Sequence, residues 1–243
     1  MKKLSIIILS GLLIISCGNS PEKFLEKGDK QIANSEIENA IISYQKIIDN
    51  FPEDSLAQTA QYNIAWILLN DKNNYSRGFE LLNKITLDYS ETLIGKSAKE
   101  DILNFPKWLM IKSSDLRSDT TINEAIRTID YLISEYNDDP IIPEALYLKG
   151  NIYLNDKKEF YRALNTYQEI ISKYQGSSFV PMSQFMIGYI YANVQTDIPK
   201  AKIAYKTFLK NYPEHELAPS VQFELEYLGK QINNIDELTS RNK

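Results

Sequence analysis

Residues Ala40–Pro52 read AIISYQKIIDNFP, and residues Ala201–Pro213 read AKIAYKTFLKNYP. Each stretch begins on alanine and carries a tyrosine four positions on, at Tyr44 and Tyr205. A bulky apolar residue follows at offset seven, an aromatic at eleven and a proline at twelve. Offsets of 0, 4, 7 and 11 fall on one face of an α-helix, and the proline marks where that helix must stop. The same register returns three more times. The small residues Ala40, Gly78, Ala125, Ala163 and Ala201 are separated by 38, 47, 38 and 38 residues. Offset four holds Tyr44, Leu82, Ile129, Tyr167 and Tyr205; offset seven holds Ile47, Ile85, Leu132, Ile170 and Phe208. Offset eleven, with Phe51, Tyr89, Tyr136, Tyr174 and Tyr212, is aromatic in every copy. The pattern is that of five copies of one unit, one of them enlarged.

Each copy needs a partner helix to cover its apolar face. A second small residue lies twelve or thirteen positions upstream of the anchor in four copies, at Gly28, Ala65, Gly150 and Gly188. Small side chains there let two helices approach closely. Each unit therefore reads as a helix–turn–helix, with a first helix A and a second helix B, stacked on its neighbours in a solenoid. Polar runs such as Asn70-Asp71-Lys72-Asn73-Asn74 and Asn155-Asp156-Lys157-Lys158 supply the turns. Only nine glycines and nine prolines occur, too few for the many tight turns of a sandwich or barrel. The fold class read from the chain is all-α. The third copy is irregular: its helix A is predicted over about 94–112 with a kink at Pro106, and Ser113–Thr121 is predicted to loop out most of the insertion. After the fifth copy, Glu216–Gln231 reads as a solvating end helix and residues 232–243 as a polar tail.

Composition excludes several kinds of function. The formal net charge is −5, which lacks the basic field that nucleic-acid binding requires. One histidine and one cysteine exclude His/Cys zinc sites and any disulfide within one chain. No glycine-rich phosphate loop, G-x-S-x-G, H-E-x-x-H or calcium loop is present. Acidic pairs such as Glu53-Asp54 and Asp138-Asp139 read as turn or helix-end residues, and His215 as a solvated loop residue just past a helix end. No catalytic residue, metal site or cofactor is expected, and the chain is not expected to be an enzyme.

The cysteine has its own context. Lys2 and Lys3 precede an apolar run over 4–15 that is too short to span a bilayer but suits the core of a secretory signal. The run ends in Ile14-Ile15-Ser16-Cys17, which resembles the bacterial lipobox. That resemblance implies cleavage before Cys17 and acylation of the new N-terminal cysteine, with two or three chains anchoring where one would not. Residue 18 is glycine rather than aspartate. By the enterobacterial sorting pattern, this implies the outer membrane, on its periplasmic side. The expected organisation is a signal peptide at 1–16, a lipidated tether at 17–22, a repeat domain at 23–231 and the tail.

The repeat resembles the tetratricopeptide motif, which places a small residue in helix A, alanine early in helix B, an aromatic four later and proline twelve after the alanine. Gly28/Ala40/Tyr44/Pro52 and Gly188/Ala201/Tyr205/Pro213 match it best. Elsewhere Gly78 replaces the alanine, and Ser90, Asn137 and Gln175 replace the proline. The family implies protein–protein interaction through a concave wall built mainly by helices A. Carried onto this sequence, the groove positions are Leu25/Asp29, Tyr62/Trp66, Tyr147/Asn151 and Phe185/Tyr189, with Asn151 suited to holding a peptide backbone. A lipobox followed directly by five such repeats is similar to the BamD family of barrel-assembly lipoproteins. This implies a BamA-like barrel protein and unfolded outer-membrane proteins as partners. The fifth repeat, AYKTFLKNYPEHELAPSVQFELEYLG, is equally similar to the CpoB/YbgF-type periplasmic proteins of the Tol–Pal system, which carry a coiled coil and no lipobox. A cell-wall or secretion complex is a third destination for such a lipoprotein.

Overall fold

The computed structural model describes residues 20–229. Cys17, the apolar run before it and the tail at 232–243 lie outside the described residues. Among those described, all regular structure is helical, in twelve α-helices. They fall into two compact units that meet in sequence between Phe105 and Pro106. The first unit contains the pairs α1 (Pro21–Ala33)/α2 (Ile37–Asn50) and α3 (Ser55–Asn70)/α4 (Tyr75–Asp88), then α5 (Leu93–Leu103). Helix α6 (Phe105–Asp115) begins at the boundary. The second unit continues with α7 (Ile122–Glu135), the pairs α8 (Ile142–Asn151)/α9 (Phe160–Lys173) and α10 (Phe179–Tyr189)/α11 (Ile198–Asn211), and α12 (Ala218–Tyr227).

The periodic positions form the core. Ala40, Gly78, Ala125, Ala163 and Ala201 are all buried in helices B, as are the five residues at offset four and the five at offset seven. The upstream glycines sit where helix B presses on helix A. A β-carbon on Gly28 would lie 2.4 Å from Tyr44, one on Gly150 2.6 Å from Tyr167, and one on Gly188 2.4 Å from Tyr205. In the second pair the roles reverse. Gly78 belongs to helix B, and a β-carbon there would strike Leu69 of helix A at 2.6 Å.

The helix ends repeat as faithfully as the core. Each offset-eleven aromatic is the residue at which helix B ends, and its N–H donates to the carbonyl of Ile47, Ile85, Leu132, Ile170 or Phe208 at 2.8–3.0 Å. Three residues later a side chain accepts an N–H at the entry to the next helix, and in α3 and α5 it is the helix cap. Asp54 Oδ1 accepts from the Leu56 N–H at 2.8 Å and Asp139 Oδ1 from Ile141 at 2.9 Å. Thr92 Oγ1 accepts from Gly95 at 3.1 Å, and Ser177 Oγ from Phe179 at 3.2 Å. His215 takes this place in the fifth copy, its Nδ1 accepting from the Leu217 N–H at 3.1 Å. It is therefore a half-buried residue holding the entry turn of α12 rather than a solvated loop residue.

The turn from helix A to helix B is also shared. Ser35, Asn73, Lys158 and Thr196, each five residues before the anchor, adopt left-handed backbone with φ of 50–61°. Such a residue terminates a helix and returns its last carbonyls to use. The N–H groups of Asn74, Glu159 and Asp197 donate to Leu68, Tyr153 and Tyr191 at 2.8 Å. Helix A widens into a π-turn beforehand at Ile152–Asp156 and Ile190–Val194.

The third copy departs from its sequence expectation in two ways. The chain breaks at Asn104 instead of kinking at Pro106, and Pro106 falls in the first turn of α6, where a missing N–H costs nothing. Most of the insertion is helical. Helices α5 and α6 run from Leu93 to Asp115 where α3 alone runs from Ser55 to Asn70, and the loop is confined to 116–121. That loop is tied down by Arg117 Nε, which donates to Asp156 Oδ2 at 2.5 Å. Ser113, placed in the loop by sequence, is a buried residue of α6 that donates to the Leu109 carbonyl at 2.7 Å. It supplies the small residue, twelve before Ala125, that the third copy seemed to lack.

Candidate functional site

Within each unit the helices A lie side by side. In the first, α1 packs on α3 and α3 on α5; in the second, α8 packs on α10. In the first and fourth pairs the residue one position past the helix-A glycine does structural work. Tyr44 donates its hydroxyl to Asp29 Oδ1 at 2.7 Å, and Tyr167 donates to Asn151 Oδ1 at 2.8 Å. Burial, and for Tyr44 the nearby Asp29 carboxylate, hold both phenols well above the usual tyrosine range, so both remain donors. Burial also raises the Asp29 carboxyl above the ordinary aspartate value, partly offset by the Tyr44 hydroxyl. The oxygen of Asn151 is thus occupied within its own helix pair.

The aromatic positions divide between packing and exposure. Tyr62 donates to Asp101 Oδ2 at 2.5 Å, joining α3 to α5, and meets Trp66 edge-on at 6.4 Å. Leu25 packs against the core of the first two pairs. Tyr147 lies against Tyr167 at 5.6 Å and Phe179 at 5.4 Å. Phe185 lies 6.2 Å from Tyr205. Tyr189 is 38% exposed.

The fifth pair differs from the first and fourth at one atom. Tyr205 repeats the placement of Tyr44 and Tyr167 against a glycine, but the residue beyond that glycine is Tyr189 rather than an aspartate or asparagine. Its hydroxyl is buried and has no hydrogen-bond partner among the described residues.

Sequence reasoning passed over two contributors. Asp101 comes from the irregular third copy and has no counterpart in the register. The helix α12, read as a solvating end, bears Phe223 and Tyr227, whose rings stack at 4.6 Å with Phe223 45% exposed. Ala218 and Val221 bury its other face. Phe223 and Tyr227 fall 38 residues after Phe185 and Tyr189, so α12 continues the register of the helices A. The same spacing that identified the other copies marks it.

Among the described residues no cluster of His, Cys, Asp and Glu is arranged to hold a metal ion, and no helix is long and apolar enough to cross a membrane. The tetratricopeptide repeat family model matches residues 144–177 and 182–215, the fourth and fifth copies. The matched segments start 38 residues apart, leaving the first turn of α10 and the residue before it between them. The fold is accordingly an all-α array of tetratricopeptide-type helix pairs, a scaffold for protein–protein interaction. No curated protein matches the chain at a significant level.

Proposed function

We propose that the protein is a lipid-anchored scaffold of the bacterial envelope that binds protein partners along the helix-A row of a unit, in the manner of the BamD family at the outer membrane. The observation that carries the binding role is the placement of aromatic side chains on that row, with Tyr189 and Phe223 left partly in solvent beside a tight helical core. Large rings held by a rigid scaffold lose little freedom on contact and are the commonest anchors of interfaces. The anchoring role rests on Ile14-Ile15-Ser16-Cys17 and on the uniqueness of the thiol. Acylation at Cys17 confines the scaffold to a surface and raises its effective concentration near membrane-embedded partners. A BamA-like barrel protein and unfolded outer-membrane chains are the partners this reading names.

Mass measurement of the intact protein from bacterial membranes tests the anchor. The expected mature chain starts at Cys17 and carries added acyl mass, and Cys17→Ser releases it from the membrane fraction. An unmodified Cys17 in the mature protein contradicts the anchor and leaves the interaction role standing.

A further inference from the structure

Tyr205 carries a hydrogen-bond donor that no described residue receives. In the first and fourth pairs the equivalent hydroxyl is received by the residue after the helix-A glycine, Asp29 or Asn151. In the fifth pair the ring is fixed in the same way, with its edge on Gly188 and its face near Phe185. Tyr189 now occupies the acceptor's position, and Tyr205 is wholly buried. Glu224 of α12 and Tyr189 of α10 are the titratable groups that face the hydroxyl, and neither accepts from it. A buried donor left unpaired is costly, and any partner that pairs it recovers that cost.

We propose that the Tyr205 hydroxyl is a recognition donor for a main-chain carbonyl of a bound polypeptide, admitted when the exposed ring of Tyr189 turns aside. This deepens the interaction reading above and rests on it. Three features select the occupant. The hydroxyl offers one donor, so the ligand must bring an acceptor. Glu224 on the neighbouring helix disfavours a carboxylate there, which leaves a neutral carbonyl. Phe185 beside the ring and Tyr189 beyond the glycine supply aromatic surface at the position, suited to the apolar side chain of the residue that bears that carbonyl. Rotation of a half-exposed ring is fast, so access imposes no slow step.

The test is selection of random twelve-residue peptides on the purified full chain. The selected peptide is then titrated against the parent, Tyr205→Phe, Tyr167→Phe and Tyr189→Ala, with thermal unfolding of each free protein. The expected result is two-sided. Tyr205→Phe leaves the melting temperature of the free chain unchanged or raises it, since no bond is lost, and weakens the peptide about tenfold. Tyr167→Phe lowers the melting temperature by a few degrees, because it removes the bond to Asn151. If Tyr205→Phe destabilises the free chain as much as Tyr167→Phe does, the hydroxyl is already satisfied, by Glu224 or by solvent, and the inference is overturned. If Tyr189→Ala weakens the peptide while Tyr205→Phe does not, the inference fails and the interaction surface stands. If neither variant matters, or no peptide is selected, both fail.

Discussion

Tyr167 rests its ring edge on Gly150 and passes its hydroxyl to Asn151, 2.8 Å away, so that two adjacent helix-A residues hold one helix-B tyrosine from beneath and from its tip. Tyr44 stands in the same relation to Gly28 and Asp29. This lock sets the spacing within a helix pair, and two of its parts can be changed one at a time.

The glycine admits nothing larger. Alanine in a helix interior normally gains about 0.5–1 kcal/mol over glycine. At Gly150 the added carbon would sit 2.6 Å from a ring that packing and a hydrogen bond hold in place. Overpacking of this kind costs about 1–3 kcal/mol, so Gly150→Ala is expected to destabilise despite its better helix propensity. Gly176 has open space around it, and Gly176→Ala serves as the control. Urea unfolding of the two variants measures the difference.

Asp29 links the lock to pH. Burial raises its carboxyl in the folded chain, so folding favours the protonated form. Its contribution is greatest below the ordinary aspartate value and is lost as pH rises through the raised folded value. Asparagine keeps the acceptor without the charge, as Asn151 does in the fourth pair. Asp29→Asn is therefore expected to hold or raise stability at neutral pH and to flatten the acid limb of the stability curve. Denaturant titrations between pH 3 and pH 7 check the sign. A large loss at neutral pH would show that the charge itself stabilises.

The turn between helices A and B holds avoidable strain. Thr196 is β-branched and sits at φ 51°. Left-handed backbone costs a non-glycine residue roughly 1–2 kcal/mol. Thr196→Gly is expected to stabilise the second unit by about 1 kcal/mol, read as a higher melting temperature.

How far these features could be read from the chain differs from one to the next. The helix-B registers were open to inspection, because small, aromatic and apolar residues recur at fixed offsets wherever a helix must bury the same stripe. The glycines of helix A were equally plain, since close helix contact permits few residue types. The left-handed turn residues were not, because Ser35, Asn73, Lys158 and Thr196 share a conformation and no chemistry. The acceptors at the entry to these helices were hidden in the same way, since Asp54, Thr92, Asp139, Ser177 and His215 draw on carboxylate, hydroxyl and imidazole groups. The third copy misled because a proline within an apolar stretch reads as a kink, whereas Asn104 ends one helix and lets Pro106 start another. The candidate surface was half legible. Its aromatic positions followed from register, but the use of Asp29 and Asn151 inside the pairs needed the tyrosine hydroxyls in three dimensions.

His215 offers a check on the capping series. Its Nδ1 stands where aspartate or serine accepts an N–H at the entry to the preceding helices A. His215→Ala is expected to lose about 1 kcal/mol and His215→Asp to restore it. Equal stability of the two variants would show that the contact contributes nothing.

The most direct measurement is crosslinking of the protein in bacterial envelope membranes, followed by identification of what it holds, alongside Trp66→Ala and Tyr189→Ala variants. A barrel-assembly protein resembling BamA is expected as the dominant partner, with recovery falling in the variants while their helicity is unchanged. Dominant recovery of Tol–Pal or cell-wall synthesis proteins would contradict the assembly role and assign the scaffold to another pathway. Undiminished recovery by both variants would contradict the helix-A row as the binding surface.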